Sequence, residues 1–553
     1  MSLQSASGIK KPLYFVAILS ISLAVTGLFF AIGVLRYWDK VLYDLCINYR
    51  ALNRLETKNP LITTIELNDE SIEELGEKLD SRQAFADLFK VLEEYDRSTA
   101  ALDFSFANKK SNDGDFVNAV KQHNEYNTTV TAALAVELQL LGKPYKKLEE
   151  PELSKLARHV WHINVLKKGK VPEAGSFLLP FPALLEAAEQ VAFINMEPDS
   201  DGIYRRVPLL YGWDGGYIPS LALAAAVKHL RIPIETIELK AGDYLALPRS
   251  KQETIRIPID EKGRMLIPYT ETSADDINRI SFHEVETKHE KDGGLGLNNH
   301  IALIAEVSTD QKDIGPTSFE NLYPLSGIHA EVISGILNKD FGKKRAFIGW
   351  ASRTYKAIIL ALLLAVAFFC INASKDASFH VGFLLALLAF SGLTLFRWQN
   401  SAISPWFAFP ATLLFLLWLS AFLHRLFVRY REQLLLHTAL SRYFPHALAE
   451  RIMREGKTDL KPAYKELTIL FSDISGFTKW SSDKSPEQVH NFLSDYLESM
   501  AEILFAHGGT VDKFMGDGIL SFFGDPLDLP NHTERCLQAA IAMQDKVRIL
   551  AEK

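Results

Sequence analysis

A chain of 553 residues is longer than one hydrophobic core organises, so several domains are expected. A net charge of −7 and a pI near 6.1 exclude a chain held to nucleic acid by phosphate neutralisation, and no nucleic-acid partner is expected. The mean hydropathy of +0.02 averages long apolar runs with polar stretches. Cys46, Cys370 and Cys536 lie too far apart to spell a metal site or a disulfide framework.

Lys10 and Lys11 precede an uncharged apolar run, 13–35, too long for a signal-peptide core and read as a membrane-spanning helix. Three more runs, 357–373, 381–396 and 406–427, come near the ~20 residues that cross a hydrocarbon layer. With four spans, Lys10, Lys11, Lys375, Arg425, Arg429 and Arg431 fall on one side, which the positive-inside rule makes the cytoplasm. Residues 1–12 and the C-terminal part are therefore expected inside a cell (inner) membrane, and 36–345 outside the cytoplasm. Lys343, Lys344 and Arg345 break the pattern, but they belong to a large domain whose charges weigh little in that rule.

Region 36–345 alternates strand-like and helix-like segments. The pattern predicts a strand over 61–67, a helix over 69–94 with Ile72, Leu75, Leu79, Phe85, Leu88, Phe89 and Leu92 at helical spacing, and a strand over 100–106. That is an opening β-α-β unit of an α/β domain. Tyr43-Asp44-Leu45, Ile65-Glu66-Leu67-Asn68-Asp69 and Ala101-Leu102-Asp103-Phe104 are followed by Asp201-Gly202-Ile203-Tyr204-Arg205-Arg206 and Pro219-Ser220-Leu221-Ala222. Ile267-Pro268-Tyr269 and Gly327-Ile328-His329-Ala330-Glu331 complete the set. Together these resemble the second CHASE class of extracytoplasmic sensor. The resemblance implies a sensor placed before three late spans and a cytoplasmic signalling domain, with a ligand or partner that the residues do not name. His329 with Glu331, or Asp201 with Arg205 and Arg206, either line a ligand site or hold loops together. Asp44 and Asp103 fit the role of buried structural carboxylates.

The linker, 429–461, continues the last span. Leu423, Phe427, Tyr430 and Leu434 step by 4, 3 and 4 residues, either as a short seam between two helices or as a plain spacer. Tyr443-Phe444-Pro445 is expected to break the helix, which restarts over 446–455.

Region 462–553 carries the chemistry. Leu467 to Phe471 is an apolar run that ends at Ser472-Asp473, which places Asp473 at the carboxyl end of a strand. Ser475-Gly476-Phe477-Thr478 turns into a helix whose N–H groups would face a phosphate. Ser485-Pro486-Glu487-Gln488 is a helix start, Val489, Phe492, Leu493, Tyr496, Leu497, Met500, Ile503 and Leu504 are its apolar face, and His507-Gly508-Gly509 is its stop. A hairpin is expected over 510–523 with its turn at Gly516-Asp517-Gly518. Alone, Asp517 reads equally as an Asp in a tight Gly turn. If the first strand pairs beside the hairpin, Asp473 and Asp517 meet and repel, and two Mg²⁺ or Mn²⁺ ions would resolve the conflict. Such ions over a nucleotide triphosphate mean phosphoryl chemistry.

Phe471 to Thr478 and Gly508 to Asp517 resemble the two metal motifs of class III nucleotide cyclases. The resemblance implies an α+β ferredoxin-like domain, metal ligation by Asp473, the Ile474 carbonyl and Asp517, substrate contacts at Gly476, Phe477 and Thr478, and a homodimeric site. It also makes Lys513 the base reader, and a lysine donates to adenine N1, which favours ATP. The family's Asp-x6-Asn-x3-Arg pattern does not follow Asp517 in these residues, so the cyclase domain is expected to be incomplete at its C-terminus and inactive alone.

The expected protein is thus a multidomain membrane protein with an α/β sensor, four transmembrane helices and a receptor-type adenylate cyclase output for signal transduction. Alternatives are a catalytically incomplete partner of a complete cyclase, or a guanylate cyclase. A diguanylate cyclase is disfavoured because Gly516-Asp517-Gly518 lacks that signature's second acid.

Overall fold

Short strands buried on both faces build the sensor. Ile62–Leu67, Thr99–Asp103 and Ile301–Glu306 are buried along nearly their whole length, as parallel strands covered by helices must be. The computed structural model describes residues 10–52, 59–137, 150–250, 253–270, 278–291, 294–308, 313–340, 346–373, 375–440, 464–525 and 528–551. It divides into two units, Met1–Trp418 and Leu419–Lys553.

In the first unit a seven-stranded sheet runs in the order Asn278–Ser281, Ile62–Leu67, Ile301–Glu306, Thr99–Asp103, Thr128–Glu137, Ala174–Leu178, with Gln190–Phe193 also paired to Thr128–Glu137. Every pairing is parallel except that of Ala174–Leu178. The two strands of the expected β-α-β unit share this sheet, but they are not neighbours, because Ile301–Glu306 lies between them. Alternate residues supply opposite layers. Ala101 and Leu303 face the cluster built with Leu221–His229 and Leu325–Asp340, while Leu102 and Ile304 face Phe85, Phe89, Phe116 and Val120. The result is an α/β/α sandwich.

The helix expected over 69–94 is three helices instead, Asp69–Leu75, Glu77–Asp80 and Gln83–Glu93. Gly76 at φ 37° and Arg82 at φ 62° leave the right-handed region and end the first two. The first is capped by Asn68, whose side chain accepts from Ser71 N.

Three helices have the length and hydropathy to cross a membrane: Arg353–Ile371, Asp376–Ser401 and the 408–435 part of Ala408–Leu440. They contain the second and third expected spans almost entirely, and most of the fourth. The first expected span is broken. Lys10–Ala31 ends at Gly33, φ 88°, and Val34–Leu52 leaves at 68°, so a fourth crossing exists only if this bent pair is one. Val34–Leu52 is amphipathic, and its buried side carries Tyr43 and Ile47 into the sensor core. Asp39 on the same helix accepts from Phe407 N at 3.1 Å and Ala408 N at 2.8 Å, which caps Ala408–Leu440.

The second unit has three antiparallel strands in the order Thr468–Ser472, Gly518–Phe523, Thr510–Met515. Pro486–Ala506 and His532–Ala551 cover one face through Tyr496, Met500, Leu504, Cys536, Ala539 and Met543, packed on Leu470, Val511, Ile519 and Phe523. The opposite face is open: Ile469 is 67% and Phe471 62% exposed. Linker residues 441–463, including the expected break at Tyr443-Phe444-Pro445 and the restart over 446–455, lie outside the described residues.

Candidate active site

Thr468–Ser472 ends one residue before Asp473, as its apolar run predicts. The strand pairs with Gly518–Phe523 so that Ser472 opposes Ile519. That register sets Asp473 over the start of the central strand, and its Oδ1 lies 3.4 Å from where a Cβ on Gly518 would sit. Gly516 and Asp517 form a two-residue hairpin loop with Gly516 at φ 68°, the arrangement of a type II′ turn with glycine first. The two carboxylates are thereby brought to one end of one sheet. Both act on Tyr496, whose phenol pKa is raised first by burial, is pulled back by the hydroxyl of Ser472, and is raised again by Asp473 and Asp517. Tyr496 reads in the sequence only as part of an apolar helix face. Its hydroxyl is the signal that could have set it apart.

The helix behind the site starts and stops as its sequence dictates. Ser485 and Gln488 form a reciprocal capping box with Pro486 at the first position, and Pro486–Ala506 ends at His507 before Gly508 at φ 84°. Gly509 is required for space, since a Cβ there would lie 2.5 Å from the Phe523 ring.

Phe477–Ser481 is a five-residue helix capped by Gly476 at φ 79°. Phe477 N donates to the Ile474 carbonyl at 3.2 Å, so of the three expected phosphate-facing residues Phe477 has its N–H engaged in the turn. The Ile474 carbonyl keeps its second lone pair for another partner.

Lys513 owes its position to an irregularity. The register shifts between Val511 and Lys513, with Val511 opposite Ser521 and Lys513 opposite Leu520. Asp512 is the extra residue of a β-bulge. Strict alternation would put Lys513 on the buried face with Val511; the bulge turns it to the open face. Its ammonium pairs with Asp512 at 3.1 Å.

In the sensor, Arg205, Arg206 and Glu331 are bonded to neighbouring side chains and backbone. Arg205 donates to both oxygens of Asp44 (2.7 and 2.6 Å) and both of Asp201 (2.9 Å each). Arg206 pairs with Asp199 at 2.6 Å. Glu331 accepts from Thr270 N and Oγ1 at 3.2 and 3.0 Å. His329 is buried, which pushes its pKa down to about 3 and keeps it neutral.

Asp103, at the carboxyl end of its strand, has its carboxyl pushed up to about 7 by burial, with the charge of Asp313 adding to the shift. The folded state therefore holds a proton that the unfolded chain has already released, and stability falls as pH rises from about 4 through 7. Asp103→Asn is expected to gain about 1–2 kcal/mol on the wild type between pH 5 and pH 7, levelling off above, because Asp103 is not fully buried and solvent screens part of the shift. Thermal unfolding of the detergent-purified chain across that range reads it; parallel pH curves for the two proteins would refute the assignment.

The family model described as CHASE2 domain matches residues 17–369, more than half of the chain, and the adenylate and guanylate cyclase catalytic domain model matches 460–553. The chain belongs to the CHASE2-domain family, with a class III adenylate/guanylate cyclase catalytic domain following the sensor. Among curated proteins it is similar to adenylate cyclase 1 of Rhizobium meliloti, 31% identical over 19% of this chain and 16% of that one. It is similar to the adenylate cyclase of Anabaena cylindrica, 33% identical over 19% and 21%. It is also similar to the receptor-type guanylate cyclase gcy-19 of Caenorhabditis briggsae, 34% identical over 18% and 8%. The chain thus spans about a fifth or less of these relatives. Of solved structures, the adenylyl cyclase CyaB from P. aeruginosa is 38% identical over 16% of this chain and 45% of that one, with a TM-score of 0.15.

Proposed function

We propose that this chain is a receptor-type membrane adenylate cyclase subunit in which an extracytoplasmic sensor governs a cytoplasmic domain that converts ATP to cyclic AMP and pyrophosphate. The ribose 3′-oxygen would attack the α-phosphorus, its proton would leave, and the bond to pyrophosphate would break. The observation that carries this reading is the juxtaposition of Asp473 with the turn holding Asp517, beside a bulge that swings Lys513 off the core face.

The donor set suits hard divalent cations. Asp473, Asp517 and the Ile474 carbonyl are all oxygen donors, and they would hold two Mg²⁺ or Mn²⁺ ions. Among the described residues no group of three His, Cys, Asp or Glu forms a closed metal cage. Phosphate oxygens and water would complete the coordination, the arrangement Mg²⁺ favours. When bound, such ions ease loss of the hydroxyl proton and offset phosphate charge. The protein's own part is to position: Gly476 and Thr478 beside the phosphates, and Lys513 at the base.

Strand order supports the ferredoxin-like assignment, since β-α-β-β-α with the third strand central matches the first five elements of that fold. The open face with Ile469 and Phe471 supports a homodimer that covers it. The lysines and arginines flanking the apolar helices support four crossings of the cell membrane with both termini inside.

Asp-x6-Asn-x3-Arg does not follow Asp517 in these 553 residues, so cyclisation by them needs groups from another chain or from further sequence. The test is complementation. The purified chain is mixed with a cyclase domain that keeps its Asn and Arg but has lost its metal carboxylates. Cyclic AMP is expected from the mixture and not from either partner, with GTP a poor substrate, and Lys513→Glu is expected to shift preference toward GTP by about tenfold or more. Nucleotide binding without product in any mixture would favour the second reading, a regulatory partner of a complete cyclase. Unchanged base preference in Lys513→Glu would remove Lys513 as the base reader.

A further inference from the structure

The N-terminal edge of the sensor's parallel sheet holds a cleft of about 340 Å³, outside every site considered above. Thr99–Asp103 enters the sheet from Arg97-Ser98, and Thr128–Glu137 from Tyr126-Asn127, both at its rim. Leu221–His229 ends against the same rim, followed by Leu230 and Arg231.

Its charge is one-sided. Arg97, Lys228, Arg231 and Arg249 line it, and no carboxylate does. Lys228 is offset by Glu189 at 3.0 Å, but among the described residues neither Arg97 nor Arg231 makes an ion pair. The end of Leu221–His229 contributes about half a negative charge, less than these two guanidinium groups supply. Burial, then the nearby charges of His300, Arg231 and Arg249, push the His229 pKa down to about 4, so its ring adds no charge at neutral pH.

Two independent observations distinguish the cleft from an ordinary basic surface. Arg97, Arg231 and Asn299 all have left-handed backbone, at φ 58°, 54° and 57°. They are three of the six non-glycine residues with left-handed backbone among the described ones, and the two arginines hold a conformation that costs a side chain of their kind free energy. In addition, Asn127 spends its Oδ1 on Ser98 N at 2.8 Å, while its Nδ2 is buried without an acceptor. Asn127 thus adds to a wall in which hydrogen-bond donors and guanidinium groups outnumber acceptors, the setting that suits an anion.

We propose that this cleft binds a small organic polyanion, a molecule carrying two or more carboxylate or phosphate groups. Guanidinium forks match both groups in pairs, and the volume lies at the lower end of small-molecule sites. The inference stands apart from the cyclase reading, since it needs no nucleotide chemistry.

Calorimetric titration of the full detergent-purified chain with citrate and, separately, with inorganic pyrophosphate at constant ionic strength tests it. Saturable binding of at least one is expected with Kd below about 1 mM. Arg97→Asn and Arg231→Asn, which keep a residue tolerant of left-handed backbone, are expected to weaken it about tenfold or more each. Lys262→Gln, outside the cleft, should leave it unchanged. Tighter citrate binding identifies a carboxylate ligand, and tighter pyrophosphate binding a phosphate. Thermal unfolding of each variant checks its fold, and Arg249→Gln substitutes for any that fails. No saturation by either anion up to about 10 mM, or equal affinity in all folded arginine variants, would overturn the proposal.

Discussion

Asp473→Ala is expected to lower Mn²⁺-dependent ATP binding by the chain about 100-fold, which is about 2.8 kcal/mol at 1.4 per factor of ten. The same change is expected to raise the melting temperature of the metal-free second unit, because Asp473 and the Asp517 turn lie at the same end of one sheet and removing one charge lowers the negative charge gathered there. Opposite signs in the two readouts separate a metal ligand from a structural carboxylate, whose loss would weaken folding and binding together. Titration with Mn²⁺, followed by electron paramagnetic resonance with and without ATP, measures the first; calorimetric melting measures the second. Metal binding equal to wild type in both Asp473→Ala and Asp517→Ala would remove the pair from the mechanism.

Arg205→Ala is expected to cost the sensor about 3–5 kcal/mol, since it removes the buried guanidinium that joins Asp44 to Asp199 and Asp201 rather than one partner of a surface pair. The guanidinium is 3% exposed and serves Asp44, Asp199 and Asp201 at once. Burial alone would weaken its hold on the proton, and Asp44 and Asp201 more than reverse that, so its pKa is raised. A cost of this size corresponds to a melting temperature lower by roughly 6–15 °C for a domain of this length. Adding Asp44→Asn to Arg205→Met should recover part of the loss, because the partner charge goes with it. A melting temperature within about 1 °C of wild type in Arg205→Ala would show the network to be energetically idle.

These outcomes bear on how far a sequence can be read. In the second unit the deciding signals are local. Ser485 to Gln488 spells its cap, Gly516-Asp517 its turn, and an apolar run ending before Asp473 its strand, so the placing of Asp473 and the Asp517 turn at one end of one sheet was legible. The bulge was not. Nothing around Asp512 announces that one residue will be skipped, and skipping it decides which face Lys513 occupies. In the sensor the balance reverses. Ile301–Glu306 slots between two strands some 200 residues earlier, and only tertiary packing selects that partner. Helical spacing over 69–94 was right about the buried side of Gln83–Glu93 but blind to Arg82, whose left-handed backbone no residue preference foretells. Likewise the apolar run 13–35 conceals the bend at Gly33, because hydropathy counts side chains and a bend is a backbone event.

That bend has a mechanical consequence. It sets Val34–Leu52 apart as a rod of its own: Asp39 accepts from the first peptides of Ala408–Leu440, and Asp44 accepts from Arg205 in the sensor. Five residues of helix separate the two contacts by about 7.5 Å along the axis and about 140° around it, so they engage opposite sides of one stiff rod. One helical element with no break between the two contacts therefore joins the Arg205 network to the start of the last apolar helix.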